Sequence, residues 1–267
     1  MKPVAILCVR NEEAYIGYAI RHLIEQGVLV AVIDNDSSDT TPAIVSSFSS
    51  RDVIHRSKIG FEGTYDLLRI LETKAAVARQ IGADWIIHHD ADEILHSPVP
   101  GETLAEAALR AERGGANAIN FHEFVFVPTA ADQDFTGHDY VREMLHYYFF
   151  QPFYPRLMRM YRSGLSNLAG AGHLVSGPDL KVHPQDFISR HYISLSLAAL
   201  RRKYRHRPFL AENLARGWHR NRTGIDWDSV SLPASHSLNR LASWDSRDFD
   251  TSNPWPRHFW ESAENKS

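Results

Sequence analysis

Asp90-Ala91-Asp92 is the side-chain pair in this sequence best suited to chemistry. Two carboxylates one residue apart, on a turn leaving an apolar run, can converge on one hard divalent cation. That cation would hold a diphosphate and stabilise it as a leaving group. The bland reading of the same pair is that it caps the next turn or faces solvent. A second acidic group, Asp34-Asn35-Asp36 with Asp39, follows an earlier apolar run. Carboxylates there can accept from the imide N–H of a pyrimidine or from ribose hydroxyls, or cap a helix opening at Pro42, the role that suits Asp39. A third polar step, Arg10-Asn11-Glu12, leaves the first apolar run. His88 and His89 precede the aspartate pair on a strand whose side chains alternate faces, so one is placed to approach a site and the other to pack in the core.

The three polar steps act together only if they emerge on one rim, and the intervening sequence is patterned to bring that about. Residues 3–9, 28–33, 52–56 and 85–89 read as short buried strands. Between them, 12–25, 43–48 and 67–81 carry apolar residues at helical spacing, with Gly82 stopping the last. Strand–helix alternation predicts an α/β fold with a mostly parallel sheet flanked by helices and ligands at the carboxyl ends of the strands. Further on, the pattern predicts a helix over 104–113, a strand over 118–127 cut by Pro128, and an aromatic, loop-rich stretch over 129–155. Short strands over 157–162 and 180–183 and a basic helix over 196–207 follow, then a Ser-, Asp-, Trp- and Pro-rich tail from Thr223 that wraps the surface. The resulting division is one domain over 1–222, with a nucleotide-binding half (1–95) and an acceptor- and metal-completing half (96–222), and a C-terminal extension over 223–267.

With 267 residues, 43% hydrophobic and 23% charged, the chain is sized and composed like one large globular domain, which excludes wholesale disorder and fibrous repeats. No apolar stretch nears the roughly 20 residues of a membrane span, and Met1-Lys2-Pro3 runs straight into a strand without a signal-peptide pattern. A single cysteine, Cys8, excludes an internal disulfide and fits a reducing compartment, so the expected location is cytoplasmic. The net charge of −3 conceals a segregation: residues 1–155 hold 12 basic and 22 acidic side chains, residues 156–222 hold 13 and 3, and the remainder 4 and 7. An acidic half facing a basic half suits a cation together with a polyanionic ligand. Solvated charge on separate helices explains it equally well. No nucleic-acid-binding module is visible, and a nucleic-acid partner is not expected.

Val9-Arg10-Asn11-Glu12-Glu13-Ala14-Tyr15-Ile16, then Asp34 to Thr41, then Asp90-Ala91-Asp92-Glu93, with Lys74 one helix before the last, resemble the family-2 glycosyltransferases of the GT-A fold. Gly170-Ala171-Gly172-His173, His191-Tyr192 with Ser194, and Gly217-Trp218-His219 extend the resemblance to a bacterial subgroup, so that it covers roughly residues 3–220. The resemblance implies a nucleotide-sugar donor, transfer with inversion, and a place in polysaccharide biosynthesis. It implies that Asp34 or Asp36 reads the base beside Arg10 and Asn11 and that Lys74 supports base or phosphate. It further implies that Asp90 touches ribose or metal, and that Asp92, with His191 as a C-terminal ligand, holds Mn²⁺ or Mg²⁺. Some relatives place a glutamate after the histidine corresponding to His173; here that position is Leu174, so His173 itself is the first candidate for the catalytic base, with Glu123 and Glu143 as rivals. Arg201, Arg202, Lys203, Arg205 and Arg207 are placed to attract donor phosphates or an anionic, lipid-linked acceptor, and the aromatics at 147–154 to stack on an acceptor glycan or touch a membrane surface peripherally. A metal-dependent phosphohydrolase and a non-catalytic sugar-nucleotide or glycan-binding relative are the competing readings.

Overall fold

The structure is a computed structural model describing residues 2–261; Met1 and residues 262–267, the end of the expected extension, lie outside the described residues. Strands β1 (Val4–Val9), β2 (Leu29–Asp34), β3 (Val53–Lys58) and β4 (Trp85–His89) lie parallel in the order β3-β2-β1-β4. They are joined through α1 (Ile16–Glu25), α2 (Thr41–Ser46) and α3 (Leu67–Ile81). The runs of Val, Ile, Leu and Ala in β1 and β2 are buried on both faces, as a sheet covered by helices requires. α1 buries Ile16, Ala19, Ile20 and Leu23, and α3 buries Leu67, Ile70, Leu71, Val77 and Ala78, each a single stripe at helical spacing. The ends of α3 are written locally: the Asp66 carboxylate accepts from Arg69 N at 3.1 Å, and Gly82 turns the chain at φ 70°. In register, Val9 stands opposite Asp34 and Leu7 opposite His89, so β1, β2 and β4 release their loops on one rim.

The Asp90–Asp92 turn then carries the chain out of this sheet. β5 (Glu93–His96) is the edge of a second sheet. After α4 (Leu104–Arg113), β6 (Ala118–Ile119) lies in the first sheet and β7 (Phe121–Phe126) in the second. The continuous strand expected over 118–127 is therefore broken at Asn120. That fully buried amide holds the junction: its Oδ1 accepts from Arg156 N and Leu157 N at 3.1 and 2.9 Å, and its Nδ2 donates to Asp186 at 2.9 Å. The aromatic run expected to be loop is α5 (Tyr140–Glu143) and β8 (His146–Phe150), the latter paired antiparallel with β7. β9 (Met160–Arg162) joins the first sheet between β4 and β6, whereas 180–183 contributes a lone bridge, Val182 to Ala118, instead of a strand.

β10 (Phe187–His191) pairs antiparallel with β5, placing His191 opposite Glu93, and parallel with β7. α6 (Leu197–Arg205), α7 (Ala211–Ala215) and β11 (Asn239–Arg240) complete the order, and the second sheet reads β11-β8-β7-β10-β5. The segment beyond Thr223 is not a loose surface tail. Trp227, Val230, Leu238 and Trp260 are buried with Val125, Tyr148, Leu200 and Tyr204 in one apolar cluster over the second sheet and α6. No helix of the described residues is long and apolar enough to cross a membrane.

Candidate active site

A cavity of about 430 Å³ opens at the rim where β1 and β4 end. Arg10 and Glu12 after β1, Asn35 after β2, and Asp90, Asp92 and Glu93 after β4 reach it from the first half of the chain. Glu123, Arg156, Arg159, His173, His191, Lys203, Arg207, Gly217, Trp218 and His219 reach it from the second. The segments expected to carry chemistry thus meet although they are spread over two sheets.

Asp90 is held from behind and open in front. Its carboxylate lies 2.7 Å from Arg159 and 3.6 Å from buried Lys74, while 44% of the side chain remains exposed to the cavity. Burial pushes this carboxyl up, but Arg159 and Lys74 outweigh it and hold it well below the usual carboxylate range. Lys74 also donates to His89 O at 2.9 Å, fixing the end of β4. Asp92 is buried, 2.9 Å from Lys203 Nζ and 3.6 Å from His191 Nε2, and these two cations overcome burial to keep it ionised. Lys203 comes from the α6 face turned inward. Its neighbours do not follow: Arg205 pairs with Asp228, and Arg201 donates to Val230 O.

His191 is the centre of the arrangement. Its Nδ1–H donates to Glu123 Oε1 at 2.7 Å, which turns Nε2 toward Asp92. Burial would strip the ring of its proton, but Asp92 and Glu123 more than compensate and lift it to about 10. Glu123, the rival base, is buried behind His191 and also lies 3.2 Å from Arg156. Burial raises its carboxyl, Arg156 and His191 reverse that to about 2, and with one oxygen on each of them the carboxylate is occupied in orienting His191. Glu143, the other rival, pairs with His138 at 3.2 Å on an exposed turn and does not line the cavity.

His173 follows Gly172, whose φ of 79° and tight seat explain the glycine: a Cβ there would stand 2.7 Å from Leu71 Cδ2. The imidazole lines the cavity, its Nδ1 is buried without a partner, and burial, reinforced by Arg156 and Arg159, keeps it well below its ordinary value and neutral. On the first-half rim the expected base readers are engaged with one another. Arg10 donates to the carbonyls of Asn35 and Asp36, Asn11 Oδ1 accepts from Ser38 N at 2.8 Å, and Asp34 accepts from Ser37 N. Asp36 points outward to Lys58 at 2.7 Å. Of this group, Arg10 and Asn35 line the cavity, whereas Asn11, Asp34 and Asp36 build the turn beside it.

Five site residues, Arg156, Arg159, Glu12, Glu93 and Arg222, had no assigned role in the sequence. Arg159 and Arg156 neutralise Asp90, Glu93 and Glu123; an arginine alternating with Met158 and Met160 in an apolar strand was the available signal. Glu12 and Glu93 line the cavity with carboxyls pushed up by burial to about 7. Arg207 lies over the Tyr65 ring at 4.1 Å and Arg222 over the Tyr204 ring at 4.9 Å, and neither has a carboxylate partner among the described residues. Among those residues, no group of three or more His, Cys, Asp or Glu stands together as a metal cage.

Residues 4–119, from the first strand through the Asp90–Asp92 turn to β6, match the sequence model of Glycosyl transferase family 2. This segment is a family 2 glycosyltransferase domain. No curated protein matches the chain. Among solved structures it is similar to S. aureus TarS 1–349, at 14% identity over 72% of this chain and 60% of that one, with a TM-score of 0.47. The same S. aureus fragment in complex with UDP gives 15% identity, 77% and 64% coverage and a TM-score of 0.45. 4-Diphosphocytidyl-2C-methyl-D-erythritol synthase gives 17%, 50% and 62%, with a TM-score of 0.31. The chain spans under two thirds of the length of these TarS chains.

Proposed function

We propose that the chain transfers a sugar, with inversion, from a nucleotide-sugar donor to an acceptor hydroxyl inside this cavity. The observation that carries the reading is convergence: residues 90–93, 170, 171, 173, 191 and 217–219, far apart in sequence, line one cavity at the carboxyl ends of parallel strands. In this reading the nucleotide lies over the ends of β1 and β2 against Arg10, Asn35 and Tyr65. Lys203, Arg207 and Arg222 face the diphosphate, the latter two with charges that no carboxylate satisfies. Asp90, open to the cavity and fixed by Arg159 and Lys74, is placed to accept from ribose hydroxyls. Its ties to these two cations also disfavour the phosphohydrolase reading, in which it would be the nucleophile.

The donor set fits a divalent cation of the Mn²⁺ or Mg²⁺ kind. Such ions take one or two protein donors and complete their shell with phosphate oxygens and water, so a three-residue cage is not required. Asp92 offers a hard oxygen, and His191, whose Nδ1 is held by Glu123, would offer Nε2 once the arriving ion displaces the proton that Asp92 and Glu123 keep on the ring. Held by Asp92 and His191, the ion would neutralise charge developing on the leaving diphosphate. His173, neutral and facing the cavity, is the residue we assign to take the acceptor proton. The single Cys8, half-buried beside the cavity, fits a reducing, cytoplasmic setting.

Thermal shift with UDP, GDP, CDP and dTDP, each with and without Mn²⁺, tests the reading. One nucleotide should stabilise the chain by about 2.7 kcal/mol at a hundredfold excess over its Kd. That gain should depend on the cation and vanish in Asp92→Asn. In a transfer assay with the matching sugar nucleotides, His173→Ala should keep nucleotide binding and lose roughly 10²–10⁴-fold in rate. Absence of stabilisation by every nucleotide would refute the donor assignment. Cation-independent binding that survives Asp92→Asn would refute the metal assignment.

A further inference from the structure

The cavity wall away from the nucleotide rim is made by the end of the chain. Trp255 N donates to Phe149 O at 2.7 Å and Gln151 N to Trp255 O at 3.0 Å, sewing the segment to β8. The His258 ring then lies between Phe150, at 3.8 Å, and Trp260, at 4.2 Å, with both faces covered. Trp260 is fully buried, so this stack is a rigid backing. Two aromatic rings of the same cavity are not used up in that way. Phe153 is 50% exposed, held between Pro152 and the Tyr154–Pro155 step, whose phenol donates to Asp186 at 3.4 Å. Trp218 lines the cavity from the loop after α7, tied by its backbone N–H to Asn213 O at 3.0 Å.

Polar groups accompany these rings. Glu261 Oε1 accepts from His258 N at 2.8 Å and Asn221 Nδ2 at 3.4 Å, which fixes the carboxylate on the wall. Among the described residues nothing donates to its Oε2. An exposed Phe153 and a half-buried Trp218, with guanidinium groups of Arg156 and Arg216 at 5.7 and 5.5 Å from their centres, share the cavity with a fixed, half-satisfied carboxylate, a set that suits a ligand with an apolar C–H face and hydroxyls on its edge. A sugar ring has that form. An acyl chain does not, because covering Glu261 with hydrocarbon would strand a carboxylate without a donor.

We propose that Phe153 and Trp218, with Glu261 between hydroxyl and wall, form the subsite for an uncharged pyranose ring of the acceptor. The proposal rests on the glycosyl-transfer reading and names its acceptor class. The C-terminal segment is then a specificity-determining part of the site: Glu261 accepts from a ring hydroxyl, while the Phe150–His258–Trp260 stack limits how far the ring can enter.

Saturation-transfer NMR on the full chain with UDP and Mn²⁺ present tests it. The probes are methyl pyranosides of glucose, galactose, mannose, N-acetylglucosamine and rhamnose. At least one should receive saturation at its ring protons, and Phe153→Ala, Trp218→Ala and Glu261→Gln should each cut that signal severalfold while UDP affinity stays within about twofold. Trp244→Ala, an exposed tryptophan that does not line the cavity, is the control and should change neither. No saturation of any probe, or saturation unchanged in all three variants, overturns the subsite and leaves the donor reading standing. Failure of UDP, GDP, CDP and dTDP alike to bind the unaltered chain would instead overturn the donor reading. Phosphatidylglycerol vesicles that bind the chain and lose it on Phe153→Ala, with no pyranoside signal, would reassign the rings to a membrane surface.

Discussion

Lowering the pH from about 7 to about 4 should remove roughly 3 kcal/mol of folding stability through His22 alone. His22 is buried on α1, its Nε2–H donates to Leu95 O at 2.8 Å, and its ring stands edge-on to His96 at 4.7 Å. Burial, with a smaller push from Arg190 and Arg247, lowers its proton affinity from the ordinary 6.5 to about 4. The unfolded chain therefore binds this proton first as the solution is acidified. The stabilising difference is complete above 6.5 and is lost as pH falls through 4. The interval between those two values, at 1.36 kcal/mol per unit, gives roughly 3 kcal/mol. His22→Gln keeps an N–H for Leu95 O and removes the titration. Urea unfolding of both proteins across this range, with chelator present, should give a stability difference that shrinks with acid and follows one proton. Parallel pH curves for the two proteins would show that His22 is not held neutral by the fold, and the reasoning from burial would fail.

Arg207→Ala and Arg222→Ala should each weaken UDP binding about tenfold by calorimetry, the loss of one charge-assisted hydrogen bond, and added salt should shrink the difference. Asp36→Ala should leave UDP affinity within about twofold, because its exposed pairing with Lys58 is a surface contact; a tenfold loss would put it back among the base readers. Trp260→Ala should cost about 3–5 kcal/mol in urea unfolding, as deletion of a fully buried aromatic does, and a loss under about 1 kcal/mol would show that the end of the chain is not part of the core.

The first half of the molecule is legible because its signals are local. α3 is predicted over 67–81 and observed there, since Asp66 and Gly82 mark its ends within one turn. β4 likewise runs from Trp85 to His89, ending at the aspartate turn. The second half depends on partners that sequence spacing does not reveal. β5 is four residues beginning with a glutamate, and only pairing with β10, nearly a hundred residues later, makes it a strand and stabilises Glu93 beside Arg159. β8 reads as loop because Tyr147 to Phe150 lack alternation, yet both faces are buried: Tyr147 and Phe149 in the main core, Tyr148 and Phe150 in the cluster that holds Trp260. For the site, the aspartate pair, His173, His191 and Lys203 line the cavity. Asn11 and Asp34 are in the turn beside it, because short polar side chains after a strand find backbone partners before they find a ligand, and Asp36 turns outward to Lys58. The inward face of Lys203 and the outward face of Arg205 differ only by rotation around α6, which a count of basic residues does not record.

The cavity wall begins at Cys8 and is closed by Glu261. A chain is made from its amino end, so the residues of the parallel sheet and the aspartate turn are synthesised before those of the wall behind Phe150. Until Trp255 and His258 arrive, Tyr148 and Phe150 lack the rings that stack on them, although Leu200 and Tyr204 of α6 already share their cluster. The growing polypeptide thus passes through an interval in which it offers a sticky surface and no finished pocket, the interval in which a chaperone would be most useful to it. Donor binding cannot assist the early stages of folding. It rewards only a molecule in which the wall behind Phe150 is in place.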